Sequence, residues 1–308
     1  MNSCRSQSKG SALLLSLWCV AVLSITVLAV ARMVLADVED AGLKNRRFEA
    51  RELALTGIAY GMNSKIEVWD PLLDQQFADG SKLRVRITSE AARFDINRLL
   101  KEREQKTLRR LFEIWEVPAP TIALTVDSLV DWIDADDLHM LNGAERPELI
   151  RQTQYSLPAN RDFRSVPEME KVRGMDLIAA AKPDWAKIFT VRGGRRLDLQ
   201  EATTDVMRAA GGLNLDQARQ IEEARRGVDR LDQTRDDLKI KDVGQFLKSV
   251  GLTDTQRQLM QAKFGAGTGP ARIESKATVA GTNYTITVIA SRAGAGGGET
   301  ALLDWEEQ

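Results

Sequence analysis

The chain has 308 residues, 43 Lys plus Arg against 44 Asp plus Glu, and 43% hydrophobic residues. That suffices for one large or two modest domains, and a net charge of −1 excludes a protein held to nucleic acid by bulk positive charge. Cys4 and Cys19 both lie near the N-terminus and the one histidine is His139. The body therefore has no disulfide, no thiolate nucleophile, no Cys metal site and no His-based triad to work with.

Gly10 to Ala31 is a run of 22 residues without a charge. As a helix it spans ~33 Å, about the hydrocarbon thickness of a bilayer. Arg5 and Lys9 precede the run, and Asp37, Glu39 and Asp40 follow it. The positive-inside rule then puts the N-terminus in the cytoplasm and everything after Arg32 outside. A cleavable secretory signal is the alternative reading, with Ala29-Val30-Ala31 as the nearest cleavage site. Against it, the run is longer than a signal's apolar region and continues straight into helix.

Lys9-Gly10 immediately before the apolar run resembles the leader of type IV prepilin-like proteins. The resemblance implies cleavage after Gly10 by prepilin peptidase on the cytoplasmic face, with Ser11 as the mature N-terminus. That family carries Glu at the fifth mature position, where it neutralises a neighbour's terminal amine in the apolar filament core. Here the fifth mature position is Leu15.

Beyond the span, residues 32–66 read as an amphipathic continuation of the helix. Leu55, Ile58, Met62 and Ile66 recur at spacings of three and four, and Asp70-Pro71 ends it. Leu83, Val85 and Ile87 alternate with Lys82, Arg84 and Arg86, the pattern of a half-buried strand. From Phe94 to about Phe264 the pattern is helical, with turns at Pro118-Ala119-Pro120, Asn142-Gly143, Gly193-Gly194 and Gly211-Gly212. Strand signals return at 271–279 and 283–290 with a short hairpin turn at Ala280-Gly281-Thr282, and again at Ala301 to Trp305 after the glycine-rich stretch Gly294–Gly298. The order predicts an α+β fold: a long N-terminal helix and a small antiparallel sheet (67–93 and 265–308) with an all-α insertion at 94–264.

Several stretches resemble one family, general secretion pathway protein K, the large minor pseudopilin of type II secretion systems. They are Ala91-Ala92-Arg93-Phe94-Asp95-Ile96-Asn97-Arg98-Leu99, Leu129 to Asp137 followed by Gly143-Ala144-Glu145, and Tyr155 to Arg161. Ser165 to Met169, Val172-Arg173-Gly174-Met175, Phe189-Thr190-Val191, Leu197 to Ala202 and Ala301 to Glu307 continue in order. The chain departs from that pattern at Arg146 to Ile150, and at Gln200-Glu201-Ala202, where the family often carries Asn-Thr-Ala. Leu15 agrees, since this pseudopilin is the member without the usual Glu. The resemblance implies a pilin-like fold in the inner membrane with its body in the periplasm, capping the pseudopilus tip and starting its assembly. The partners it implies are the minor pseudopilins designated I and J, the major pseudopilin, prepilin peptidase and the inner-membrane secretion platform. No enzymatic activity is expected.

The acidic cluster is the one candidate for site chemistry. With Asp134 as the first position of a calcium loop, Asp136 is third and Glu145 twelfth, as in an EF-hand. Leu138 and His139 then fall where a ligand and a glycine are required, so this is not an EF-hand. An irregular calcium loop built on Asp134, Asp136, Asp137 and Glu145 stands beside a solvated acidic loop with Asp131 or Asp134 capping a helix. The resemblance implies calcium, which the family's helical domain holds. Val172-Arg173-Gly174-Met175 and Ala210-Gly211-Gly212-Leu213 look like helix-hairpin-helix turns, which elsewhere hold DNA phosphate on backbone N–H groups. Lys171, Arg173, Arg192, Arg195 and Arg196 lie nearby, and a membrane-anchored DNA receptor is the alternative function. Tight packing at glycine explains the same turns, and interleaved acids make nucleic acid the weaker partner. Trp115, Trp132 and Cys19 read as packing residues, His139 as a loop residue, and Asp131 with Asp134 as ordinary helix patterning.

Overall fold

The computed structural model describes residues 8–134, 160–267, 269–291 and 301–308, with side chains from residue 12 onward. Helix α1 runs Ser8–Met62, 55 residues and ~80 Å. It ends four residues short of the expected Ile66. The Asn63 side chain accepts the Lys65 N–H at 3.0 Å, which offers the backbone a turn in place of another helical bond. Ile66 stays in the core even so. Asp70-Pro71 opens a short 3-10 turn, Pro71–Leu73, capped by the Asp70 carboxylate.

The lower half of α1 lies on a five-stranded antiparallel sheet of order β1-β2-β7-β8-β9. Its strands are β1 Asp74–Gln76, β2 Lys82–Ser89, β7 Ala271–Val279, β8 Thr282–Ser291 and β9 Ala301–Glu307. Strands β7 and β8 join through Ala280 and Gly281, both with positive φ, the two-residue turn whose twist suits a hairpin. On the face towards α1, Leu83, Val85, Ile87, Ile273, Ala277, Ile286 and Val288 close a core over Ala50, Ala54 and Ile58.

Two glycines set how closely α1 approaches. A Cβ on Gly57 would fall inside Ser275 Oγ and stand 2.7 Å from Val85 Cγ2, and one on Gly61 would fall inside Ile273 Cγ2. The far end of the sheet is tied to the same helix. Arg51 holds both Glu307 carboxylate oxygens at 2.9 Å, and Tyr284 and Trp305 donate to that carboxylate at 2.5 and 2.9 Å. These bonds, the Arg51 one first, hold the Glu307 carboxyl down to about 2.

Between β2 and β7 the chain builds a second core from helices α2 Ile96–Lys101, α3 Gln105–Ile114, α4 Ala119–Ile133, α5 Met175–Ala181, α6 Thr204–Gly211, α7 Leu215–Arg225, α8 Val243–Lys248 and α9 Asp254–Lys263. Phe94, Phe112, Trp115, Trp185 and Phe189 form its aromatic centre, with ring centroids 5.6–6.5 Å apart. Two short parallel pairs fasten it where the chain enters and leaves. These are β3 Phe94–Asp95 with β4 Phe189–Thr190, and β5 Leu197–Asp198 with β6 Phe264–Gly265.

The α1 seat yields a direct expectation. Gly57→Val forces helix and sheet apart and should lower stability by roughly 1–3 kcal/mol, whereas Gly42→Val, where a Cβ meets only the end of the Arg46 side chain at 3.5 Å, should cost nothing because Val is the better helix former. Urea unfolding of the two variants measures the difference, and equal losses would remove the seat from the account.

Candidate functional site

Two regions carry features beyond packing: the exposed half of α1, and the zone where the helical block meets the sheet. From Ala12 to Phe48 the helix contributes nothing to the core, and Leu13, Trp18, Leu23, Ile25, Leu28, Met33, Leu35 and Phe48 all stand exposed. An 18-residue window within Ala12–Met62 reaches a mean hydropathy of 2.6. Such a surface needs lipid or other helices around it. Leu15 is 69% exposed on it, so the fifth position after the expected cleavage presents an apolar side chain outward. Gly10 and Ser11 belong to the helical backbone of α1; their side chains lie outside the described residues.

Of the acids expected to hold calcium, Asp134 follows the last residue of α4, and its N–H donates to Val130 O at 3.1 Å. Asp136, Asp137 and Glu145 lie outside the described residues, as does His139. Among the described residues neither Asp131 nor Asp134 caps a helix N-terminus, and the chain that follows Asp134 lies outside them. Asp131 sits fully buried inside α4 and Asp134 at its C-terminal end, because the helix starts at Ala119 behind Pro118 and the acids come in its last turns. Asp127, one turn earlier, is buried and paired with Arg109 at 2.9 Å. Trp132 stacks on Phe163 at 5.5 Å, and Trp115 donates to Asp205 at 2.9 Å, so both are core residues.

A second acidic group escaped the sequence reading. Asp229, Asp236 and Asp237 bring carboxylate oxygens within 4.8 Å of one another. The crowding of acids at 229, 232, 236 and 237 was its only signal, without a ligand motif. Asp236 accepts Val228 N–H at 2.6 Å and the Thr234 hydroxyl at 2.9 Å, and Asp237 accepts Gln233 N–H at 2.7 Å. The Thr234 bond, with backbone N–H groups behind it, holds the Asp236 carboxyl below the usual range. These bonds close the loop on themselves. The donor set is hard oxygen, the chemistry calcium prefers, yet much of its lone-pair capacity is already engaged.

The hairpin-like turns are explained by packing. Gly174, with φ of 88°, opens α5 where a Cβ would fall inside Thr125 Oγ1, and a Cβ on Gly211 would fall inside Met260 Sδ. The first turns of α7 and α9 are closed by capping boxes, Asn214 with Gln217 and Thr253 with Gln256. Gln217 and Gln256 then exchange side-chain amide bonds at 3.1 and 3.0 Å. At the second of the two turns a DNA backbone would have to displace the Asn214 box to reach the N–H groups that it occupies.

Polar residues of the family-like stretches act as ties. Asp95 caps α2 through Arg98 N–H at 3.1 Å and accepts Gly193 N–H at 3.1 Å. Asn97 and Phe163 exchange two bonds at 2.8 and 2.9 Å. Asp198 binds the N–H groups of Gln200 and Gly267. Glu201 crosses to the sheet and accepts Ser89 N–H at 2.7 Å, while Gln233 Nε2 donates to Ile87 O at 2.6 Å. Around these ties opens a cleft of about 1410 Å³ lined by Arg86, Glu90, Arg93, Arg225 and Arg272 among others. Glu90 is 1% exposed, with Arg272 3.7 Å away as its ion-pair partner. Arg225 is held on the carbonyls of Leu199 and Ala202 at 2.7 and 2.8 Å.

Burial pushes the Glu201 carboxyl up to about 7, with Asp198 adding to the rise and the Ser89 N–H, Arg225 and Arg86 opposing it. The folded state thus favours the protonated acid. The stability this lends is complete below the ordinary value of 4.5 and fades as pH rises through 7. Glu201→Gln keeps an acceptor for Ser89 and removes the titration. Its stability difference between pH 5 and pH 8 should narrow by up to about 3 kcal/mol relative to the parent, measured by urea unfolding. An unchanged difference would mean that Glu201 ionises freely.

Residues 92–182 match the family model described as type II secretion system (T2SS) protein K, first domain. A curated relative, type II secretion system protein K of Pseudomonas aeruginosa PAO1, is 27% identical over 170 residues. That match covers 52% of this chain and 49% of the relative, so it spans about half the length of each. Among solved structures, the crystal structure of the GspK-GspI-GspJ complex from the enterotoxigenic Escherichia coli type 2 secretion system contains a chain of the same fold. Its TM-score is 0.61 at 16% identity, covering 89% of this chain and 98% of that one.

Proposed function

Starting from a chain whose residues 92–182 match the type II secretion system protein K family, we propose that it is a minor pseudopilin that caps the pseudopilus tip and starts its assembly. One observation carries this most: a helix that lies off the core from residue 12 to 48, uncharged as far as Ala31, and continuous with the helix seated on the sheet. The apolar half fits a single-pass membrane anchor, and after the leader is cut at Gly10 it can slide sideways among other pseudopilin helices. By the positive-inside reading the anchor lies in the inner membrane with the body in the periplasm. The role is structural, not enzymatic. The similar chain from Escherichia coli was solved with GspI and GspJ, which supports the I and J minor pseudopilins as partners here. The major pseudopilin, prepilin peptidase and the secretion platform complete the set.

Leu15 has a physical account in this role. A subunit that enters first has no predecessor whose amine it must neutralise, so a carboxylate in the apolar layer would bring desolvation cost without a partner. The helical block is too wide to lie inside a stack of helices, which suits a subunit with nothing above it.

Calcium belongs to this proposal at Asp134, Asp136, Asp137 and Glu145, with Asp229, Asp236 and Asp237 as the competing oxygen cluster. Bound there, the ion would brace a periplasmic loop rather than take part in a reaction.

Gly10→Ala should leave an unprocessed precursor on a gel, and normal maturation would count against the leader. Leu15→Glu should secrete at close to the parental level if this subunit enters first. Loss of export would place it behind another subunit. Chelation with EGTA should lower the melting temperature by several degrees, scaling with ion occupancy. Asp136→Ala should abolish that shift and Asp236→Ala should keep it; the reverse pattern moves the ion to the second cluster.

A further inference from the structure

We propose that the outer edge of β9 is a docking edge for an extended, basic segment of a partner protein, which adds to the sheet as a sixth strand. A sheet has two edges, and here they are treated differently. On the β2 side, β1 covers Lys82 to Arg84, and the helical block covers the rest with side chains: Gln233 on Ile87 O and Glu201 on Ser89 N–H. On the other side, β9 is the last of the hydrogen-bonded strands, and among the described residues no further strand pairs with it.

The direction of its main chain follows from the ladder. Thr285 and Gln308 exchange both bonds, at 3.0 and 2.9 Å, which makes them a hydrogen-bonded pair. By antiparallel alternation Glu306 and Asp304 also bond β8, so Trp305 and Glu307 turn their N–H and C=O groups outward. Trp305 N–H agrees: it donates to the neighbouring Asp304 carboxylate at 2.9 Å, a local shield instead of a strand. The seven-residue strand contains no Pro to block pairing; its charges, Asp304, Glu306 and Glu307, are all acidic, and its bulge lies at Leu303, before the acids begin.

Side chains select the occupant. Asp304 and Glu306 lie on the face away from α1, opposite Ile289 and Thr287, with Arg272 and Glu274 beyond on β7 and Arg272 paired to Glu90. Among the described residues neither acid forms an ion pair; Glu306 accepts from Gln308 and Asp304 from the Trp305 backbone. A second copy of β9 would set acids against acids, so the edge rejects itself. A strand with Lys or Arg at alternate positions meets Asp304 and Glu306 on one face. Its intervening apolar residues meet Leu302 and Trp305, which are 53% and 38% exposed, on the other.

The test uses the full chain in detergent micelles and two fluorescent peptides, one alternating Lys with Val and one alternating Lys with Pro, which cannot pair. Hydrogen exchange should slow at the amides of Leu303 to Glu307 with the Lys-Val peptide alone. Trp305→Pro, which removes an outward N–H, should weaken that peptide by about tenfold or more, the scale of one hydrogen bond. Trp305→Ala, which keeps the N–H and removes only the side-chain contact, should weaken the peptide less than Trp305→Pro does. Equal binding of the Lys-Pro peptide, equal losses in the two variants, or protection outside β9 would each overturn the proposal. If Trp305→Pro disturbs exchange at β8, the pair Asp304→Lys with Glu306→Lys carries the test. It should lose the Lys-Val peptide and gain a Glu-Val one, and retention of Lys-Val would overturn the edge.

Discussion

A single helix has to satisfy two environments along one axis, and the rest of the architecture is arranged around that demand. Over residues 12–31 the surface of α1 is uncharged, apolar and open, suited to lipid or to other helices, and from Arg32 to Phe48 it turns amphipathic. From Ala50 onward the same helix narrows to Ala50, Ala54, Gly57 and Gly61 on one side, and the sheet rises to meet it. Small side chains shorten the helix–sheet distance and let strands β2 and β7 pack directly beneath the backbone. The sheet's hydrophobic face, and with it the register of every strand, depends on that approach.

The helical block solves a different problem. A small sheet has faces and edges to satisfy, and α1 covers only one face. The block grows out of the turn after β2 and returns at β7, and on the way it lends side chains to the main-chain groups β2 leaves open. Lys239 adds a contact with Glu67 at 3.4 Å and lies over Trp69. These links are few and polar beside the continuous hydrophobic centre inside the block, so the two cores remain separate. An ionisable group among the links, Glu201, couples their strength to the acidity of the surrounding compartment.

The parts legible in the sequence were those with a strong period or a long uncharged run. The run at 10–31 lies wholly inside α1, and the alternation at 82–87 and the hairpin around Ala280-Gly281 emerge in the structure with bounds within a few residues. Strand β1 and the two-residue parallel pairs did not, because three residues or fewer carry no period. The end of α1 was placed at Ile66 because Ile66 keeps the apolar spacing, while a local side-chain bond at Asn63 decides where the helix stops. Acids were the hardest to read. Asp95, Asp198 and Glu201 stand in the family-like stretches with no role assigned by the sequence, and prove to be fasteners between segments far apart in the chain, a role set by tertiary contact rather than spacing.

The bidentate grip of Arg51 on Glu307 gives the molecule a defined route for mechanical load. A pull on the anchored end of α1 passes through the glycine seat and this grip into the sheet, at both its centre and its last strand. The helical block hangs beside that route, attached by side chains rather than by a shared ladder. Force that extrudes or withdraws the anchor would therefore strain the sheet first and leave the block as an undeformed passenger.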